Sequence, residues 1–141
     1  MQWLNNVCYL IIIIILAKVC MDDLRKRIIS NTNVLLIIFM VCILSLSADT
    51  SPNIFLSLFV LFFGFMLFIS KILGAGDVKL IVALSFAFNY VQFINYLFLV
   101  AVLGGVCAII GLLFYHKNVK KNGIPYGVPI ALAFMLSYPV G

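Results

Sequence analysis

Asp22, Asp23, Asp49 and Asp77 are the only acids in this 141-residue chain, and glutamate is absent. Asp77 stands in "KILGAGDVKLIVAL", behind Gly74 and Gly76 and at the mouth of an apolar segment. Glycine permits close backbone approach, so a carboxylate placed there can be aimed rather than merely extended. An acid at a helix start is also favoured by unpaired N–H groups and the helix dipole, so Asp77 read alone fits a simple N-cap equally well. Asp22 and Asp23 close another apolar run, where the dipole disfavours a negative charge. Arg25, Lys26 and Arg27 follow directly and can offset it, which gives the plainer reading of a solvated interfacial cluster. Adjacent acids on a helix point roughly 100° apart, so at most one of the two faces a helix bundle. The sharper reading joins the two ends. Two carboxylates at one depth, on one side of a membrane, can meet if the first and fourth helices pack together. A close pair does not readily ionise twice, so one proton is shared. The neutral acid can then polarise a peptide carbonyl while the ionised one takes a proton from water, giving hydrolysis without metal or cofactor.

Other chemistries find little support. His116 is the only histidine and lies among lysines in "HKNVKKNG", where it reads as solvated. No serine has a histidine on its own segment, and neither a P-loop nor a dinucleotide fingerprint occurs. Cys8, Cys20, Cys42 and Cys107 show no C-x-x-C spacing, so they read as apolar packing residues, with no zinc site and no disulfide frame.

The elements that must position the acids are apolar. Hydrophobic residues make up 66% of the chain and charged ones 9%, with a mean hydropathy of +1.29. Soluble domains are nearer half apolar and about a quarter charged. The expectation is an all-α integral membrane protein, one membrane-embedded domain over residues 1–141 with the lipid bilayer as its surroundings. The absence of period-2 alternation argues against a membrane β-barrel. The first apolar run lacks a basic preceding region and a small-residue cleavage site, so it reads as a retained span. Six segments are expected, at about residues 3–20, 33–47, 53–70, 77–90, 93–115 and 124–140. Several are shorter than the roughly 20 residues that span a bilayer unaided. Their connections alternate in charge: the first, third and fifth carry lysine or arginine, and the second and fourth carry none. The positive-inside rule then makes a six-transmembrane-helix bundle with both termini extracytoplasmic. It also accounts for the net charge of +5 without nucleic acid as a partner. Asp23 and Asp77 fall on the cytoplasmic side; Asp49 falls on the other.

Three stretches carry a family resemblance. "GAGDVKL" resembles the GxGD signature of type IV prepilin peptidases. "DLRKRIISN", residues 23–31, resembles the first-aspartate motif of the short, TadV/CpaA-like branch that serves tight-adherence pili. There an aspartate is followed by a basic stretch and Ile-Pro-Asn; here Ser30 stands where proline is usual, which alters the turn more than the chemistry. "IPYGVPIAL", residues 124–132, resembles the PYG segment that opens the last span. The three fall in the family's order and spacing across nearly the whole chain.

The resemblance implies Asp23, rather than Asp22, and Asp77 as the catalytic pair. It implies Gly74 and Gly76 as shapers of the active-site loop, Lys79 as a loop residue without an assigned role, and Arg25, Asn31, Pro125, Tyr126 and Gly127 as motif positions. It implies an aspartic endopeptidase of the bacterial inner membrane, multi-pass, that removes the basic leader of prepilins and pseudopilins at the cytoplasmic boundary, with pilus assembly machinery as a further partner. The larger prepilin peptidases carry paired C-x-x-C motifs and also methylate the new N-terminus; without those motifs, this chain is expected to be a peptidase only. The presenilin-type group ends in Pro-Ala-Leu, which "VPIAL" does not match. A different class of function, a non-enzymatic six-span assembly subunit or a small transporter, would use the acids for topology or ion coupling. A transporter would hold its ionisable groups near the midplane rather than near one face.

Overall fold

In a computed structural model, which describes residues 2–138, the chain forms α-helices joined by short connections. They are α1 (Gln2–Lys26), α2 (Asn31–Ser47), α3 (Ile54–Ile69), α4 (Ala75–Ser85), α5 (Tyr90–Phe114), α6 (His116–Asn122) and α7 (Gly127–Ser137). Helices α1 to α5 and α7 correspond to the six apolar segments. Helix α6 is an addition: seven residues of the fifth connection form an exposed basic turn rather than a loop. The last segment was expected to run from 124 to 140. Its helix begins only at Gly127, since Ile124 precedes Pro125 and is held out of the helical region. The expected end at residue 140 lies outside the described residues.

Helix α1 continues past its apolar run through Asp22, Asp23 and Arg25 to Lys26. Leu24, Arg25 and Lys26 are good helix formers, and the two bases suit the negative end of the dipole. Arg27 then takes a left-handed φ of 55° and turns the chain towards α2. Each 25-residue helix, α1 and α5, runs about 37 Å and is long and apolar enough to cross a membrane. Helices α4 and α7 have 11 residues each, about 17 Å, and are too short to do so alone.

Packing divides these helices sharply. α4 buries Val78, Leu80, Ile81, Ala83, Leu84 and Ser85, and α7 buries a similar share of its length. α5 buries only Phe93, Tyr96, Val100 and Gly104 along all 25 residues. α3 buries one stripe, Leu56, Ser57, Val60 and Gly64, and turns Phe55, Phe59, Phe62, Phe63, Phe65 and Phe68 outward. A helix this apolar on its outer face suits lipid rather than water. The core lies where Leu16, Ile37, Leu84, Phe88 and Phe134 meet, all 2% exposed or less. Phe88 stacks on Tyr96 with ring centroids 5.0 Å apart and meets Phe134 edge-on at 5.5 Å. Helix α1 packs on α2 and α7, α2 on α4, α4 on α3 and α7, and α5 on α7.

Candidate active site

Helices α2, α4 and α7 begin at the end of the bundle where α1 finishes. Their starts form the site. Asp23, one turn before the end of α1, is 6% exposed. Its Oδ2 accepts a hydrogen bond of 2.9 Å from the backbone N–H of Gly127, the first residue of α7. The first N–H groups of any helix have no partner inside it, so α7 offers a donor that a carboxylate can use. A Cβ on residue 127 would lie 2.8 Å from Oδ2, so only glycine lets this carboxylate come so near the backbone. Cys20, one turn earlier on α1, donates from Sγ to the Gly127 carbonyl at 3.6 Å.

Asp77 is the third residue of α4, half-buried. It is not the N-cap: Gly74 takes that position, with no side-chain cap. The Asp77 carboxylate lies against the Gly74 backbone, where a Cβ on residue 74 would be 3.1 Å from Oδ2. Gly76 faces Ile29 closely enough that a Cβ there would sit 3.0 Å from the Ile29 Cβ, which holds the α4 start against the α1–α2 turn.

Asp23 and Asp77 line one open pocket of about 340 Å³, together with Arg27, Ile29, Gly74, Gly76 and Lys79 among others. They do not reach it by direct packing of the first helix on the fourth, as the sequence suggested. Helices α1 and α4 each pack on α2 and α7, which serve as common neighbours, while the most extensive packing of α4 is on α3. Lys79 Nζ donates to Asn31 Oδ1 at 3.0 Å, tying the second turn of α4 to the start of α2. Tyr126 packs where a Cβ on Gly104 would be 2.8 Å from its Cε1, seating the α7 start on α5. Pro125 is half-buried just before it. Arg25 is exposed at the end of α1 and does not line the pocket, and neither does the half-buried Asp22. His116 is exposed on α6.

Four lining residues are not among the expected site residues: Arg27, Ile28, Ile29 and Ala75. Arg27 lines the pocket, and its spacing of four from Asp23 is the signal that would have found it. Ile29 lines it as well, as the residue that Gly76 accommodates. Among the described residues, no cluster of three or more His, Cys, Asp or Glu side chains gathers as a metal site would.

Residues 10–109 match the model of the type IV leader peptidase family. The chain belongs to that family. It is thus a protease of the leader-peptidase type, embedded in a membrane, and its apolar helices suit that setting. The matched residues take in Asp23, the α1–α2 turn, the glycine loop and Asp77, and end within α5, before α7 and Gly127. No curated protein and no solved structure matches the chain.

Proposed function

We propose that this leader peptidase is an aspartic endopeptidase of the GxGD type, with Asp23 and Asp77 as its catalytic pair. The observation that carries the reading is the convergence of the two carboxylates on one open pocket at one end of the bundle, one of them seated on a helix N-terminus. The Gly127 N–H occupies Oδ2 of Asp23 and leaves Oδ1 for water. The pair holds one proton between its two groups. The protonated carboxyl donates to the scissile carbonyl oxygen. The ionised one removes a proton from water as its oxygen attacks the carbonyl carbon. The tetrahedral diol then collapses: its C–N bond breaks, and a carboxyl returns a proton to the leaving amine.

The substrate class is a prepilin or pseudopilin, cut between a short basic leader and the apolar helix of the mature protein. The chain acts as a single domain with six spans and both termini outside the bacterial inner membrane, which puts the acid end in the cytoplasm where a leader would lie. It serves a tight-adherence type of pilus, works without a cofactor, and cleaves without methylating the product. Both acids sit near helix ends, which favours proteolysis at a membrane boundary over ion transport through the midplane.

The test is co-expression of a candidate prepilin with the wild type, Asp22→Asn, Asp23→Asn and Asp77→Asn, following substrate size on a gel. Cleavage should be lost in the Asp23 and Asp77 variants and largely kept in the Asp22 variant. Loss with Asp22→Asn alone would mean that the neighbouring acid is the catalytic one. No cleavage by well-expressed wild type on any prepilin would overturn the proposal. Inhibition by chelators that zinc reverses would overturn the mechanism.

A further inference from the structure

Arg27 has no part in hydrolysis by an acid pair, yet its side chain forms part of the pocket wall beside both aspartates. Its backbone continues from α1 through an N–H bond of 3.0 Å to the Asp23 carbonyl, then takes φ 55°. The same left-handed turn ends α2 at Asp49 and α3 at Lys71, and in both of those the side chain is exposed. At Arg27 the side chain is half-buried instead, and Nη1 is shielded from solvent with no hydrogen-bond acceptor. Two carboxylates line the same pocket, and neither accepts from this nitrogen.

A buried N–H of a charged group without an acceptor is a standing cost to the empty protein. Such a group calls for an explanation, and beside an open pocket lined by two acids an acceptor brought by a ligand supplies one. A peptide drawn across the acid pair brings acceptors of one main kind, its backbone carbonyl oxygens. We propose that Arg27 is a substrate-binding residue, whose guanidinium turns out of its shielded position into the pocket, donates to a main-chain carbonyl of the peptide and so holds the strand over Asp23 and Asp77. The inference rests on the peptidase reading above. Its recognition is of backbone, so it does not depend on the leader's own side chains, whose positive charge would repel an arginine.

The experiment uses the full chain in lipid nanodiscs and a fluorescent synthetic peptide made of a basic leader, a glycine and the first apolar residues of a pilin. Binding is read in the Asp77→Asn protein, which should hold the peptide uncut, with and without Arg27→Met or Arg27→Lys. Arg27→Met should weaken binding about tenfold, the size expected for one charge-assisted hydrogen bond, and Arg27→Lys should recover a good part of it. In the otherwise wild-type enzyme, Arg27→Met should raise KM more than it lowers kcat. The thermal midpoint of the empty protein should stay level or rise with Arg27→Met, because no bond of Nη1 is lost. Unchanged affinity and KM would overturn the inference, and so would a fall in the midpoint of the empty protein equal to that of a structural arginine. If the wild type cuts no prepilin and the Asp77→Asn protein binds no peptide, it is the peptidase reading that fails, and this inference with it.

Discussion

The two ends of the bundle are both polar, but they differ in charge and in how their helices begin. At the end away from the acids, several neutral groups satisfy one another. Ser47 donates to Asn5, Ser57 and Ser85 share a hydrogen bond of 2.8 Å, and Thr50 donates to the Ser45 carbonyl at 3.0 Å. Of the helices that begin there, α3 is capped by Asn53, and α5 carries a capping box of Asn89 with Gln92. At the acid end, α2, α4 and α7 begin without side-chain caps. One of their free N–H groups is taken by Asp23, and Arg27 keeps a buried nitrogen unpartnered. Size does not distinguish the ends in favour of function. A larger depression, about 640 Å³, lies at the capped end, lined by residues such as Pro52, Asn53, Phe86 and Asn89 and by no acid or base. Tyr96 Oη and Ser137 Oγ, buried towards the capped end, also lack a partner, so what separates the ends is charge and helix capping rather than whether every polar group is satisfied.

Substitutions at the two ends should separate their roles. The largest effect should come from Asp23→Asn or Asp77→Asn, each lowering the cleavage rate at least about 100-fold while the protein still inserts. Gel assays of prepilin processing beside membrane fractionation measure both quantities. Next is Gly127→Ala. The added methyl would lie 2.8 Å from Asp23 Oδ2 and must displace the carboxylate, for an expected loss of about 10- to 100-fold in kcat. Cleavage unchanged by this variant would show that the seat on α7 is irrelevant to catalysis.

At the capped end, activity per folded molecule should hold and stability should fall. Asn89→Ala removes the capping box and should cost about 1 kcal/mol, read by thermal unfolding in detergent. Ser85→Ala should cost less, about 0.6 kcal/mol, typical of one hydrogen bond between membrane helices. A fall in specific activity in either variant, without a matching loss of folded protein, would erase the distinction between the two ends.

Much of the acid end was legible in the sequence because its signals are local. A glycine on each side of Ala75 before an acid, and an acid before a basic run, can each be seen in a few residues. The six apolar segments were legible for the same reason. Their junctions were less so. Hydropathy falls at Asp22, but helix propensity does not, so α1 runs on to Lys26. The polar "HKNVKKN" gives no apolar period, and yet it coils as α6. The manner in which the acids meet was not legible at all. It depends on α2 and α7 as shared neighbours and on a hydrogen bond between residues 104 positions apart, which no window of sequence contains. Arg27 was hidden among three consecutive bases, since only the fold decides which of them turns inward.

The bond between Asp23 and Gly127 also orders events in time. Synthesis runs from the N-terminus, so α1 to α5 leave the ribosome before the backbone that seats Asp23 exists. Through most of its own manufacture the chain carries both carboxylates without the support that fixes one of them. A nascent chain of this design should stay silent towards neighbouring membrane proteins until its last helix docks.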